Sequence, residues 1–145
     1  MRKFKTVIFV VVLIYAISLT ASYVVKNMAD KQLAVIPIYG AITNGHAALP
    51  LTSQSITAET IIAFIESAEE NKHIRGILLD INSPGGTVVA SKDVARAVKA
   101  TTKPTVAVIR DIGTSGAYWV ASAADKIIAD ELSITGSIGV TASYL

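Results

Sequence analysis

Cysteine is absent from the 145 residues, and charge is scarce: 17% of the residues are charged, whereas 52% are hydrophobic. Without cysteine the chain has no disulfide scaffold, no thiolate zinc site and no cysteine nucleophile. Low charge combined with high hydrophobicity is the opposite of the composition that keeps a chain disordered. The length favours one modest domain over two.

Acidic residues are also absent from the first 25 residues, which hold 18 hydrophobic residues and the three cations Arg2, Lys3 and Lys5. The other 120 residues carry ten Lys and Arg against eleven Asp and Glu, so they are nearly neutral. The net charge of +2 and the hydrophobic excess therefore both belong to the N-terminal segment. Because no basic patch remains in the rest of the chain, we expect no nucleic-acid partner.

An uncharged stretch of 20 residues runs from Thr6 to Val25. At about 1.5 Å per residue a helix of this length spans the roughly 30 Å hydrocarbon core of a bilayer. We predict a basic tail at 1–5, an anchor at 6–25 that spans the cell membrane, and a domain after the anchor. The positive-inside rule places the basic tail in the cytoplasm and the domain outside it. The alternative is a cleaved signal peptide with a weak site at Thr20-Ala21-Ser22, but the run exceeds the usual apolar region of about 7–15 residues.

Short apolar runs alternate with helical periodicity after the anchor. Helices are predicted after an N-cap at Thr57, after the glycine pair at 85–86 and over 116–124. The region 40–55 reads as a loop and 112–115 as a turn. Because the runs are continuous and not alternating, they indicate an α/β fold with a parallel sheet covered on both faces. The predicted strands lie at 33–39 (with Pro37 indicating an edge), 76–81, 105–110, 126–129 and from 137 to 143.

Two glycine-rich turns follow predicted strands, at 82–86 and 113–117. In open α/β sheets ligands bind at the carboxyl ends of strands. Adjacent glycines leave N–H groups uncovered, and a serine before a helix has free N–H groups beside it. Ser115 is therefore a candidate nucleophile, although a serine at this position is commonly only an N-cap. The sequence G-T-S-G-A does not complete the G-x-S-x-G elbow, and no phosphate-binding loop is present.

A partner that could activate Ser115 is harder to find. His46 falls in the loop and His73 follows a solvated helix end, positions more typical of surface residues. A lysine base would need burial to lower its pKa from ~10.4 to ~7–8. The lysines at 92, 99 and 103 are expected to be exposed, and Lys126 is expected to pair with Asp125. The sequence thus offers no convincing general base.

Three motifs taken together are far more specific than either turn alone. INSPGGTV, then TSGAYWVASAADKI and then TGSIGV resemble, in order and spacing, the signal peptide peptidase A family, as does the leading apolar segment. The resemblance extends from Leu33 to the end of the chain. It implies a crotonase/Clp-protease-like fold of repeated βα units behind one transmembrane helix, with a peptidase domain at 33–145 that is incomplete at its C-terminal end. It also implies a membrane-anchored serine endopeptidase with a Ser–Lys dyad that cuts remnant signal peptides.

Carried over to this sequence, the resemblance makes Ser115 the nucleophile, Gly86 and Gly116 the oxyanion hole, and Gly85 a substrate-binding neighbour. It implies an apolar peptide substrate, with no metal and no cofactor. Because the predicted domain ends on an uncovered strand and so has apolar surface to hide, we also expect a homo-oligomer.

The family's lysine lies beyond TGSIGV and has no counterpart here. Two interpretations follow: the front part of a working peptidase, or an inactive membrane-anchored module for peptide binding or assembly. An acyl-CoA enzyme of crotonase type is a third interpretation, which the anchor and the candidate serine disfavour.

Overall fold

The structure is a computed structural model that describes residues 2–29, 32–45 and 55–139. The chain divides into two compact units, Met1–Lys31 and Gln32–Leu145. The described residues of the first unit form one helix, α1 (Arg2–Ala29). Its stretch Ile8–Lys26 has a mean hydropathy of 2.4 and exposed side chains, so it is long and apolar enough to cross a membrane. The helix is therefore compatible with membrane anchoring.

The second unit is a parallel α/β structure. Its main sheet has the strand order β1-β4-β5-β6, and β7 pairs with the far end of β5. A separate small sheet pairs β2 with β3. All these pairs are parallel, as the apolar runs predicted. The strands are β1 (Gln32–Tyr39), β2 (Ala41–Thr43), β3 (Ser55–Thr57), β4 (Ile74–Ser83), β5 (Thr105–Thr114), β6 (Lys126–Ala129) and β7 (Ile134–Gly136); the helices are α2 (Ala58–Glu70), α3 (Val88–Ala100) and α4 (Gly116–Ser122).

Local sequence signals account for much of this order. Thr57 caps α2, because its hydroxyl oxygen accepts a hydrogen bond of 3.2 Å from the N–H of Thr60. The buried side chains of α2, which include Ile61 and Ile65, recur at the predicted helical spacing. Pro37 lies in β1, the edge strand of the sheet, where its missing N–H costs no ladder bond.

The core lies between one face of the main sheet and the helices. It combines strand residues such as Ile38 and Leu79 with helix residues such as Val94 and Val120. On the other face Leu33 and Val35 of β1 are 66% and 60% exposed. The prediction that both faces are covered is therefore wrong for the described residues, since α2, α3 and α4 all contribute to a single core.

A polar network occupies this second face. Asp80 is buried and accepts hydrogen bonds from the hydroxyl of Tyr39 and, at 2.5 Å, from Nε of Arg110. The hydrogen bond from Arg110 holds the pKa of Asp80 below its usual range, and the bond to Asp80 raises the pKa of Tyr39. The buried carboxylate is thus paired.

The predicted boundaries differ from the structure where distant strands pair. The predicted turn at 112–115 is mostly strand, because β7 pairs with Ile112, Gly113 and Thr114 and extends β5. The strand predicted from 137 lies earlier, at Ile134–Gly136; residues 137–139 are not in a strand, and 140–143 lie outside the described residues. The predicted loop at 40–55 contains β2 and the first residue of β3.

Candidate active site

Ser115 lies at the junction of β5 and α4 in an uncommon backbone conformation. Its φ is +53° and its ψ is −124°. A non-glycine residue held in such a region costs about 1–3 kcal/mol, and such residues cluster at active sites. The Ser115 N–H donates to the Gly136 carbonyl oxygen over 2.8 Å, and the Ser115 carbonyl oxygen accepts from the N–H of Trp119 over 3.0 Å. The turn is therefore held on both sides of the serine.

Gly86 belongs to the other glycine turn, which follows β4. It forms an isolated bridge with Ile42 of β2. The Ile42 N–H donates to the Gly85 carbonyl oxygen over 2.9 Å, and the Ile42 carbonyl oxygen accepts from the N–H of Thr87 over 2.9 Å. A Cβ on Gly86 would overlap the Ile42 carbonyl oxygen, so only glycine fits against β2.

Gly85 brings the two turns into contact. Its φ is +101°, and a Cβ there would lie 2.8 Å from the Gly116 nitrogen and 2.9 Å from Cβ of Ser115. Its N–H donates to Oγ of Ser83 over 3.1 Å, and its carbonyl oxygen accepts from Ile42. Both backbone groups of Gly85 are thus engaged within the protein, whereas the predicted role was substrate binding. Its contacts fit a residue that lets the turns approach each other.

The N–H groups of Gly86 and Gly116 are the candidate oxyanion donors. No hydrogen bond among the described residues uses either group. A Cβ on Gly116 would lie 3.3 Å from the Gly86 nitrogen, so the two glycines are neighbours. Gly116 begins α4, and the first N–H groups of a helix have no intrahelical acceptor. Because α4 has only seven residues, the individual N–H groups matter more here than a helix dipole.

The two turns open onto a pocket of about 450 Å³. Ser115, Gly86 and Gly116 all line it, so the structure brings three of the four predicted site residues to one cavity. The sequence indicated no role for the other lining residues, although all of them except Ser91 lie within the three motifs. The full lining is Gly86, Val88, Ser91, Ser115, Gly116, Tyr118, Trp119, Ser122, Ile138 and Gly139.

One lining residue has an unusual environment. Ser91 of α3 is fully buried, and its hydroxyl has no hydrogen-bond partner among the described residues. A Cβ on Gly116 would overlap Oγ of Ser91. An unsatisfied buried hydroxyl costs about 1–3 kcal/mol. Such a group in a folded protein calls for an explanation.

No lysine or histidine of the described residues lines this pocket. His73 precedes β4 and so lies at the opposite end of that strand from the Gly86 turn, and His46 lies outside the described residues. Lys103 was expected to be exposed, but it is partly buried and its Nζ donates to the carbonyl oxygens of Ala68 (2.5 Å) and Asn71 (2.7 Å). It therefore binds the C-terminal end of α2.

The expected pairing of Lys126 with Asp125 is replaced by another contact. The Asp125 carboxylate accepts hydrogen bonds from the backbone N–H (2.8 Å) and the hydroxyl (2.9 Å) of Thr105. The hydrogen bond from the Thr105 N–H, and to a smaller extent that from its hydroxyl, lower the pKa of Asp125. Asp125 therefore holds the first residue of β5 in place, and it does not pair with Lys126.

Comparison with known proteins gives matches to peptidases. Residues 97–145 match the model of the family described as Peptidase family S49. The chain is 40% identical over 111 residues to the chloroplastic serine protease SPPA of Arabidopsis thaliana, an alignment that covers 75% of this chain. The chain spans 16% of the length of that relative.

Solved structures match at the level of the fold. A membrane-bound stomatin-specific protease superposes with a TM-score of 0.63 and 15% identity, covering 79% of this chain and 51% of that one. ClpP1 from Listeria monocytogenes superposes with a TM-score of 0.51 and 22% identity, covering 62% and 46%. The α/β fold is thus Clp-protease-like, as the family resemblance implied.

Proposed function

The chain is a relative of the signal peptide peptidase A family, and on that premise we propose that it forms the nucleophile-bearing part of a membrane-anchored serine endopeptidase. The observation that carries the proposal is the contact between the two glycine turns. It puts Ser115, in a strained conformation, on the same pocket as the unengaged N–H groups of Gly86 and Gly116. Hydrolysis of a peptide bond needs this combination of a nucleophile and oxyanion donors.

In the proposed reaction Oγ of Ser115 attacks the carbonyl carbon of the peptide and passes its proton to a general base. The carbonyl oxygen becomes an oxyanion, which accepts hydrogen bonds from the Gly86 and Gly116 N–H groups. The C–N bond then breaks, and the amine leaves with the proton that the base returns. Water, deprotonated by the same base, hydrolyses the acyl-enzyme and restores the Ser115 hydroxyl.

The substrate is an extended, apolar peptide such as a remnant signal peptide. The chemistry of the pocket supports this choice, because Val88, Tyr118, Trp119 and Ile138 present apolar surface beside the serine. A peptide in extended form can add its backbone to strand edges near the groove, where Gly85 shapes the turn.

The general base is a lysine outside these 145 residues, in keeping with the resemblance. The lack of lysine and histidine among the described lining residues also favours a second candidate, an inactive membrane-anchored module that binds peptides or supports assembly. The two candidates differ in one respect: only the first requires a base to complete the pocket.

The topology proposed for the protein follows from α1. Arg2, Lys3 and Lys5 precede the apolar stretch, so the tail at 1–5 lies in the cytoplasm, the anchor at 6–25 spans the membrane, and the peptidase domain from residue 33 lies outside. The exposed apolar side chains Leu33 and Val35 support a homo-oligomer, in which another copy covers that sheet face.

A peptidase assay on the protein made from its complete reading frame, in detergent, tests the proposal. Ser115→Ala should abolish hydrolysis of an apolar peptide, whereas Ser67→Ala, at an exposed position of α2, should leave the rate unchanged. Full activity in Ser115→Ala would exclude Ser115 as the nucleophile. No hydrolysis of any apolar peptide by the unmodified protein, combined with peptide binding, would establish the inactive module instead.

A further inference from the structure

Ser91 is the one buried side-chain polar group without a hydrogen-bond partner that the described residues contain. It lies near the start of α3, is fully buried and lines the same pocket as Ser115. A serine in a helix can donate its hydroxyl proton to the carbonyl four residues earlier, but that carbonyl, of Thr87, accepts the Ser91 backbone N–H and not the hydroxyl. The hydroxyl is thus held at the pocket with its donor capacity unused.

The neighbours of Ser91 are the candidate oxyanion glycines. A Cβ on Gly116 would overlap Oγ of Ser91, would lie 2.8 Å from Cβ of Ser91, and would lie 3.3 Å from the Gly86 nitrogen. The Ser91 hydroxyl and the Gly86 N–H therefore border the same small space beside Gly116. An oxygen atom that accepts from both glycine N–H groups would come close to this hydroxyl.

We propose that the Ser91 hydroxyl is a third donor of the oxyanion site and that it donates to the substrate carbonyl oxygen as that oxygen becomes negative. The inference rests on the proposed peptidase function. Rotation of the hydroxyl about the Cβ–Oγ bond turns its proton towards the pocket, and no hydrogen bond has to break because the group has no partner to leave. A donor in a site that excludes water stabilises the developing charge more than the same donor in water.

A structural serine and a catalytic serine respond differently to Ser91→Ala. Removing a buried hydroxyl that lacks a partner should leave the melting temperature unchanged or raise it. Removing a donor that acts on the oxyanion should lower kcat, by about tenfold or more, with KM nearly unchanged. The combination of an undiminished melting temperature with a reduced kcat is therefore the signature of the proposed role.

The experiment uses the protein from its complete reading frame and compares Ser91→Ala with the exposed control Ser67→Ala. Thermal unfolding, steady-state hydrolysis of an apolar peptide and inhibition by a peptide boronic acid are measured on each. The boronic acid forms a tetrahedral adduct with Oγ of the nucleophile, so its affinity should fall in Ser91→Ala by the same factor as kcat/KM. Ser67→Ala should match the unmodified protein in all three measurements.

Two results would overturn the inference. A lower melting temperature or loss of folding in Ser91→Ala would show that the hydroxyl has a structural partner. Unchanged kcat and boronate affinity would show that it makes no contact with the oxyanion. If Ser115→Ala still hydrolyses the peptide, the proposed peptidase function itself fails, so the two failures are distinguishable.

Discussion

The backbone N–H of Ser115 donates a hydrogen bond of 2.8 Å to the carbonyl oxygen of Gly136. This bond joins the candidate nucleophile to the segment TGSIGV. The sequence alone identifies that segment as a motif but does not show what it contacts. It continues the pairing of β5 with β7, whose last partners are Thr114 and Gly136. The position of Ser115 therefore depends on a strand that follows it in the chain.

Gly136→Ala should destabilise the protein by about 1–2 kcal/mol, since alanine resists the φ of +100° at this position. Nothing lies within 4 Å of the added Cβ, so the cost is conformational and not steric. Urea denaturation measures the change. Thr135→Ala, at an exposed neighbour in β7, is the control and should change stability by less than about 0.5 kcal/mol. Equal effects of both substitutions would contradict the conformational argument.

Gly86→Ala should cost roughly 3 kcal/mol or more, because its Cβ overlaps the Ile42 carbonyl oxygen, a backbone atom that cannot rotate away. The substitution should also abolish peptide hydrolysis. When the turn moves away from β2, the N–H of residue 86 no longer points at the oxyanion. Denaturation with urea and the peptidase assay follow the two effects. A stable Gly86→Ala protein would mean that the bridge between Ile42 and Gly86 is not formed in solution.

Gly116→Ala should also be strongly destabilising, but here the obstacle is the Ser91 side chain. Combining it with Ser91→Gly removes both Oγ and Cβ, so the double variant should be more stable than the sum of the two single effects predicts. Coupling of about 1 kcal/mol or more is expected for residues in direct contact, although glycine in α3 costs about 1 kcal/mol by itself. A double-mutant cycle by urea denaturation measures this coupling, and strict additivity would contradict the contact.

Glu69 predicts a pH-dependent part of the stability. Its carboxylate accepts hydrogen bonds from the Thr101 hydroxyl and from the N–H (3.1 Å) and hydroxyl of Thr102, which lower its pKa from 4.5 to about 2. Because the pKa of Glu69 is lower in the folded state, its ionised carboxylate stabilises the fold. This stabilisation is complete above pH 4.5 and is lost as the pH falls towards 2.

The stability gap between the unmodified protein and Glu69→Gln should therefore be largest near neutrality and should narrow from about pH 5 down to pH 2. Denaturation curves at several pH values measure it. Glu66→Gln, at an exposed position of the same helix, is the control and should show a much smaller gap. A gap for Glu69→Gln that stays constant with pH would contradict the assigned hydrogen bonds.

The elements that the sequence predicted well are those with local signals. β1, α2, α3 and β6 have apolar runs, helical periodicity or a capping residue, and their bounds lie within a few residues of the prediction. The strands β2 and β7 have three residues each, too few for any periodicity, and they exist because distant backbone pairs with them. Sequence patterns contain no such information.

The candidate site shows the same division. Ser115, Gly86 and Gly116 stand in motifs, and the family resemblance implied all three as site residues. The bridge of Ile42 to Gly86 and the orphan hydroxyl of Ser91 depend on contacts between segments far apart in the chain. Isoleucine and serine at those positions look ordinary, so only the folded structure draws attention to them.

Labelling with a peptidyl fluorophosphonate tests whether Ser115 is the nucleophile, because the reagent forms a stable bond from phosphorus to Oγ of an activated serine and releases fluoride. The protein from its complete reading frame is labelled, cleaved with trypsin and analysed by mass spectrometry. We expect one adduct, on Ser115 in the peptide 111–126, with hydrolysis lost in proportion to labelling and no adduct in Ser115→Ala. Loss of hydrolysis with the adduct on another residue, or full activity after complete labelling of Ser115, would contradict it.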